Sequence, residues 1–120
     1  MKSTLVSCFA AALFLGTTSL AYAAQNDAGY DAIQQGQWQR AEDQLRAELK
    51  VTPNEPKRML NLAYVLQQTG RSKEAAEMYQ QVLRLNANPL VAVGPDADTK
   101  GVRAKELARK SMTAMADQPK

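Results

Sequence analysis

Histidine is absent from the 120-residue chain, and cysteine occurs once, at Cys8. Without an imidazole there is no general base of the commonest kind, no His-containing metal site and no Ser-His or Cys-His nucleophile. A lone cysteine closes no internal disulfide and builds no thiolate zinc site. The six glycines are dispersed, so no Gly-rich phosphate loop is present. Ser72, Thr99 and Ser111 lack an activating partner, and none sits in a Ser-x-x-Lys arrangement. An excess of one charge is also missing. Fifteen Lys+Arg against twelve Asp+Glu leave +3, too small a bias to suggest nucleic acid or an anionic membrane as the main partner. These absences argue against an enzyme, and no cofactor and no metal are expected.

A composition of 45% hydrophobic and 22% charged residues is that of a globular chain, and this length holds one domain. Its first 23 residues read as an export signal. Lys2 opens it, Leu5 to Leu20 is a mostly apolar run without a charge, and Ala21-Tyr22-Ala23 supplies the small residues a signal peptidase accepts. Cleavage is expected after Ala23, with Ala24 the alternative; an uncleaved anchor is the competing reading. Cys8 stands at the start of the apolar run, where a lipoprotein box would follow it, and is read as an ordinary residue of the signal. The protein is thus expected to be exported, periplasmic or secreted, with no membrane association after cleavage. Residues 24–120 hold no cysteine, so helical packing must stabilise the domain without disulfides.

What organises those residues is a repeat. Gly36, Ala41, Leu45 and Leu49 recur 34 residues later as Gly70, Ala75, Tyr79 and Leu83. That is the period of a helix–turn–helix unit. After each glycine, apolar residues fall at i, i+4 and i+8, the stripe of a helix packed on one face. The spacing predicts helices at about 25–35, 38–51, 56–69, 72–86 and 100–116, and no strands. Asn54 is the expected N-cap of the third helix, with Pro56 in its first turn. Met59, Leu62, Ala63 and Leu66 form that helix's inner stripe. Leu90-Val91-Ala92-Val93 reads as a loop in which Leu90 and Val91 cover the end of the stack, a sticky recognition strand being the sharper alternative. In 100–116, Ala104, Leu107, Ala108, Ser111, Met112 and Met115 form one stripe, with Asp98 or Thr99 as cap.

This pattern resembles the tetratricopeptide repeat. The first copy matches its skeleton at Gly29, Gly36, Trp38, Ala41, Leu45 and Pro53, the second at Leu62, Ala63, Gly70, Ala75 and Tyr79. Ala32 stands in place of the usual aromatic, Glu48 in place of a small residue, and Ala87 in place of a closing proline, with Pro89 two residues late. The resemblance implies an all-α fold of antiparallel helix-turn-helix repeats. Two units, at about 24–55 and 56–89, would be followed by a linker at 90–98 and a C-terminal capping helix at 100–116. It also implies a peptide groove on the first helices of the repeats. The corresponding positions are Tyr30, Ile33 and Gln34, then Lys57, Leu60, Asn61, Tyr64 and Gln68. Asn61 matches an asparagine of the carboxylate clamp found in some members, whereas Asn26 and Tyr30 stand where that clamp's first-helix Lys and Asn belong.

Other polar groupings have plainer readings. Asp27 with Asp31, and Glu42 with Asp43, are expected on solvated helix faces. Met59, Met112 and Met115 fall on core stripes and Met78 beside one, so packing is expected of them rather than copper binding. Residues 24–98 carry 8 basic and 10 acidic side chains, residues 99–120 carry 6 and 2. Arg103, Lys105, Arg109 and Lys110 therefore make a second candidate site, a basic face for an acidic segment or anionic lipid heads, beside the simpler reading as the wet side of a cap. Function is expected to be that of an exported protein- or peptide-binding module, an adaptor or assembly factor. The alternative is a structural repeat protein that self-associates as a homo-oligomer. The partner's identity is not written in the sequence.

Overall fold

The computed structural model describes residues 28–91, 93 and 101–119. The expected signal, Asp27, most of the 90–98 linker and the capping candidates Asp98 and Thr99 lie outside them. In chain order the elements are α1 (Ala28–Gln34), α2 (Trp38–Val51), α3 (Pro56–Gln68), α4 (Ser72–Arg84), β1 (Leu90–Val91), β2 (Val102–Arg103) and α5 (Ala104–Ala116). The fold is all-α in its layers: α1 packs on α2, α2 on α3, α3 on α4, and α4 on α5.

The two helix hairpins turn by the same device. Gly36 and Gly70 take φ values of +68° and +80°, a left-handed conformation that only glycine adopts cheaply. In each turn the glycine N–H bonds back to Ile33 or Gln67, and the next N–H to Ala32 or Leu66. That pair of bonds is the Schellman closure, which satisfies the orphan carbonyls of a helix end. Between the repeats, Asn54 is itself left-handed at φ 63°, and the cap of α3 is Glu55, not Asn54. The Glu55 carboxylate accepts from the backbone N–H groups of Lys57 and Arg58 at 3.2 and 2.8 Å. Pro56 occupies the first helical turn, where a missing N–H costs nothing.

Ala41 and Ala75, the repeat-equivalent alanines, are completely buried and let each hairpin's helices approach closely. The centre of the molecule is α3, which is buried on nearly every side through Met59, Leu60, Leu62, Ala63, Val65 and Leu66. It is covered by α2 on one side and α4 on the other, so its apolar surface runs round the helix instead of forming one stripe. Tyr79 is buried too, and its hydroxyl donates to Gln67 Oε1 at 3.1 Å.

The segment after α4 departs from expectation. Leu90 and Val91 do not form a loop but pair antiparallel with Arg103 and Val102. Val91 and Val93 are buried, whereas Leu90, expected to cover the stack, is 61% exposed. The ribbon takes up residues 102–103, so α5 begins at Ala104. Asn88 secures this junction: its Oδ1 accepts from the Lys105 N–H at 3.0 Å, and its carbonyl from Arg103 Nη1 at 3.0 Å. A side chain far away in sequence thus meets a free N–H of the first turn of α5. Ala104, Leu107 and Ala108 are buried, with Met112 and Met115 half-buried against the core. Among the described residues no helix is long and apolar enough to cross a membrane.

Candidate functional site

Helices α1 and α3, the first helices of the two hairpins, come together over a cleft of about 240 Å³. Tyr30, Leu45, Glu48, Glu55, Lys57, Arg58 and Asn61 line it. Three of the eight groove residues named from the sequence are therefore gathered there: Tyr30, Lys57 and Asn61. The Lys57 ammonium lies 5.8 Å from the centroid of the Tyr30 ring, close enough for a cation–π contact across the two helices. Asn61 is almost fully buried, at 1% exposure, and forms the floor of the cleft.

Acidic residues line the same cleft but are engaged within the protein. Glu48 accepts from the Gly29 backbone N–H at 3.2 Å and pairs with Arg58 Nε at 3.3 Å. One carboxylate thus meets a donor of the first turn of α1 and ties α2 to α3. The Arg58 guanidinium also donates to Thr52 Oγ1. Glu55 caps α3 through its side chain. These contacts fix the walls of the cleft, and the departure from the repeat pattern at Glu48 is what supplies one of them. Glu48, Glu55, Arg58 and Leu45 were not named as site residues from the sequence. Their part depends on how the hairpins meet, and only the unusual Glu48 could have pointed to it.

The remaining groove candidates divide. Gln34 and Gln68 are exposed, one turn beyond Tyr30 and Tyr64 on their helices. Ile33 and Leu60, expected on the open side, are instead in the core at 1% and 0% exposure. Both belong to surfaces that the neighbouring helices cover, Leu60 because α3 is packed on both flanks. Tyr64 is half-buried, its ring edge-on to Trp38 at 6.1 Å and 65°. It joins the two hairpins as well as facing outward.

The basic face is a separate feature. Arg109 and Lys110 of α5 are exposed and Lys105 is half-buried, while the exposed Arg103 belongs to β2 and donates to the Asn88 carbonyl. The acidic pair at Glu42 and Asp43 is also split. Asp43 is exposed and accepts from Gln39 Nε2, but Glu42 is 7% exposed and does not lie on a solvated face. Two hydrogen bonds from Arg71, which also donates to Thr69 Oγ1, and one from Arg46 converge on it. Among the described residues no group of three or more His, Cys, Asp or Glu side chains could hold a metal ion.

Repeated Schellman turns, equivalent buried alanines and first helices that share one cleft are the geometry of a helical-repeat stack. The tetratricopeptide repeat family model matches residues 32–93, just over half of the chain. The chain belongs to the tetratricopeptide repeat family. No curated protein and no solved structure matches the chain. Tetratricopeptide repeats are protein–protein interaction modules, and the matched span contains α2, α3, α4 and the last three residues of α1.

Proposed function

We propose that this tetratricopeptide repeat protein is an exported module that holds an extended protein segment along α1 and α3, acting as an adaptor or assembly factor. The observation that carries the reading is the cleft shared by the two hairpins, with Tyr30, Lys57 and Asn61 around it. Tyr30 offers a peptide a flat apolar face, and Lys57 beside it a positive charge for an acidic end. Gln34 and Gln68 extend the same polar face by one helical turn on each helix. Export rests on the composition of residues 1–23, and mass spectrometry of the protein from the cell envelope tests it. A mature chain beginning at Ala24 or Gln25 is expected; a chain retaining Met1 or Lys2 would contradict export by cleavage.

Binding is tested at Tyr30, because Tyr64 also packs against Trp38 and its loss would disturb the joint. Tyr30→Ala is expected to weaken binding to a protein co-purified with this one by at least about 1 kcal/mol, as for an anchoring aromatic. The circular dichroism spectrum should stay near that of the wild type. Undiminished binding in a folded Tyr30→Ala, Lys57→Ala variant would move the site away from the cleft, towards Arg103, Lys105, Arg109 and Lys110.

A further inference from the structure

The cluster around Glu42 has no counterpart elsewhere in the repeat. One period later the position of Glu42 is Ala76, and one period before Arg71 stands Gln37. The pair therefore belongs to this one joint and is not a product of repeat symmetry. Its geometry is specific. Glu42 lies on α2 and is 7% exposed, while Arg71 sits in the turn between α3 and α4 directly after Gly70. Arg71 Nη1 donates to Glu42 Oε1 at 3.0 Å and Nη2 to Oε2, the two-pronged match of guanidinium and carboxylate. From α2 itself, Arg46 Nε donates to Glu42 Oε1 at 2.8 Å. Arg46 also lies 3.7 Å from Glu74 of α4, the other charged group at the cluster.

We propose that the Glu42–Arg71 ion pair is a latch between the repeats, which holds α1 and α2 onto α3–α4 and whose release lets the first hairpin open while the rest of the stack stays folded. A hairpin of two helices cannot bury its own apolar face, so α1–α2 depends on the joint for its order. The remaining three helices, α3, α4 and α5, still cover one another. Glu42 is the buried partner and the Arg71 side chain is about a third exposed, so the joint depends on keeping the desolvated Glu42 carboxylate matched to its guanidinium. The Arg71 hydrogen bonds outweigh the opposing effect of burial and, with Arg46, hold the Glu42 carboxyl below its usual range. The contribution of the latch is therefore complete above the ordinary carboxylate range and is lost as the pH falls through the lowered value. The latch opens in acid and stays shut at neutral pH.

Native-state hydrogen exchange on the full chain tests this. Glu42→Gln is expected to speed exchange of the α2 amides about tenfold or more relative to those of α4 and α5, the scale of losing a charge-assisted pair. Arg46→Gln removes the bond within α2 and only the longer, exposed pair to Glu74 across the joint, so it should shift that ratio much less than Glu42→Gln does. Glu48 also joins the hairpins, so acid alone does not isolate Glu42, and the comparison of variants does. If Glu42→Gln fails to fold, Arg71→Lys keeps the charge, removes the planar fork and is read by the same ratio. Equal acceleration of α2, α4 and α5, or no change, would overturn the latch. A shift for Arg46→Gln as large as for Glu42→Gln would overturn its assignment to the joint.

Discussion

Single residues in this protein carry roles that their type does not announce. Gly29 lies inside a helix, where alanine would ordinarily be favoured by up to about 1 kcal/mol. A Cβ on it would lie 2.6 Å from Leu45 Cγ and 2.7 Å from Cδ2, and Leu45 is itself buried. Gly29→Ala is therefore expected to destabilise the domain by about 1–3 kcal/mol, as overpacking does, with urea denaturation as the measurement. A gain in stability would mean that α1 does not press on α2. Gly29 could be found from the sequence because it falls on the repeat skeleton. Glu42 could not: a Glu beside an Asp on an amphipathic helix reads as solvated, and its partner Arg71 is 29 residues away. Only the packing of one hairpin on the other brings the two together.

At the scale of elements, the helices were readable because two signals agree. Apolar residues recur at helical spacing, and glycine stands where each hairpin must turn. The observed α2, Trp38–Val51, has the bounds expected of it, and α3 and α4 differ from expectation only at their C-terminal ends. The ribbon of β1 and β2 was not readable, because two-residue strands carry no alternation and their pairing depends on where α5 docks. Asn88 is the hinge of that arrangement. Asn88→Ala should remove the bond to the Lys105 N–H and lower stability by about 0.5–1.5 kcal/mol. The effect of deleting α5 should be far larger, since Leu107 and Ala108 are buried. Each large aliphatic side chain withdrawn from water contributes about 1.5–3 kcal/mol. A chain ending at Asp98 should therefore melt at a markedly lower temperature, and an unchanged melting curve would mark α5 as a detached tail.

For the molecule as a whole, the two hairpins and the cap place one face of α1 and α3 side by side. The position of that face was accessible from the repeat, and its composition was not. Tyr30, Lys57 and Asn61 meet at the cleft, but Ile33 of α1 is buried against neighbouring helices and Leu60 turns inward because α3 is covered on both flanks. A repeat pattern assigns residues to a helix side; how far neighbouring helices wrap round that side is decided by side-chain volumes at the joint. Here the small Gly29 and the Glu48–Arg58 pair draw α1, α2 and α3 together, and the outward surface narrows to a few polar and aromatic residues. The most direct measurement of the binding role is photo-crosslinking in the exporting cell from single positions, Gln34 and Gln68 on the cleft side and Lys73 on α4. A common protein partner captured from Gln34 and Gln68, and not from Lys73, is the predicted result. Capture from Lys73 alone, or equally from all three positions, would contradict a binding face on α1 and α3.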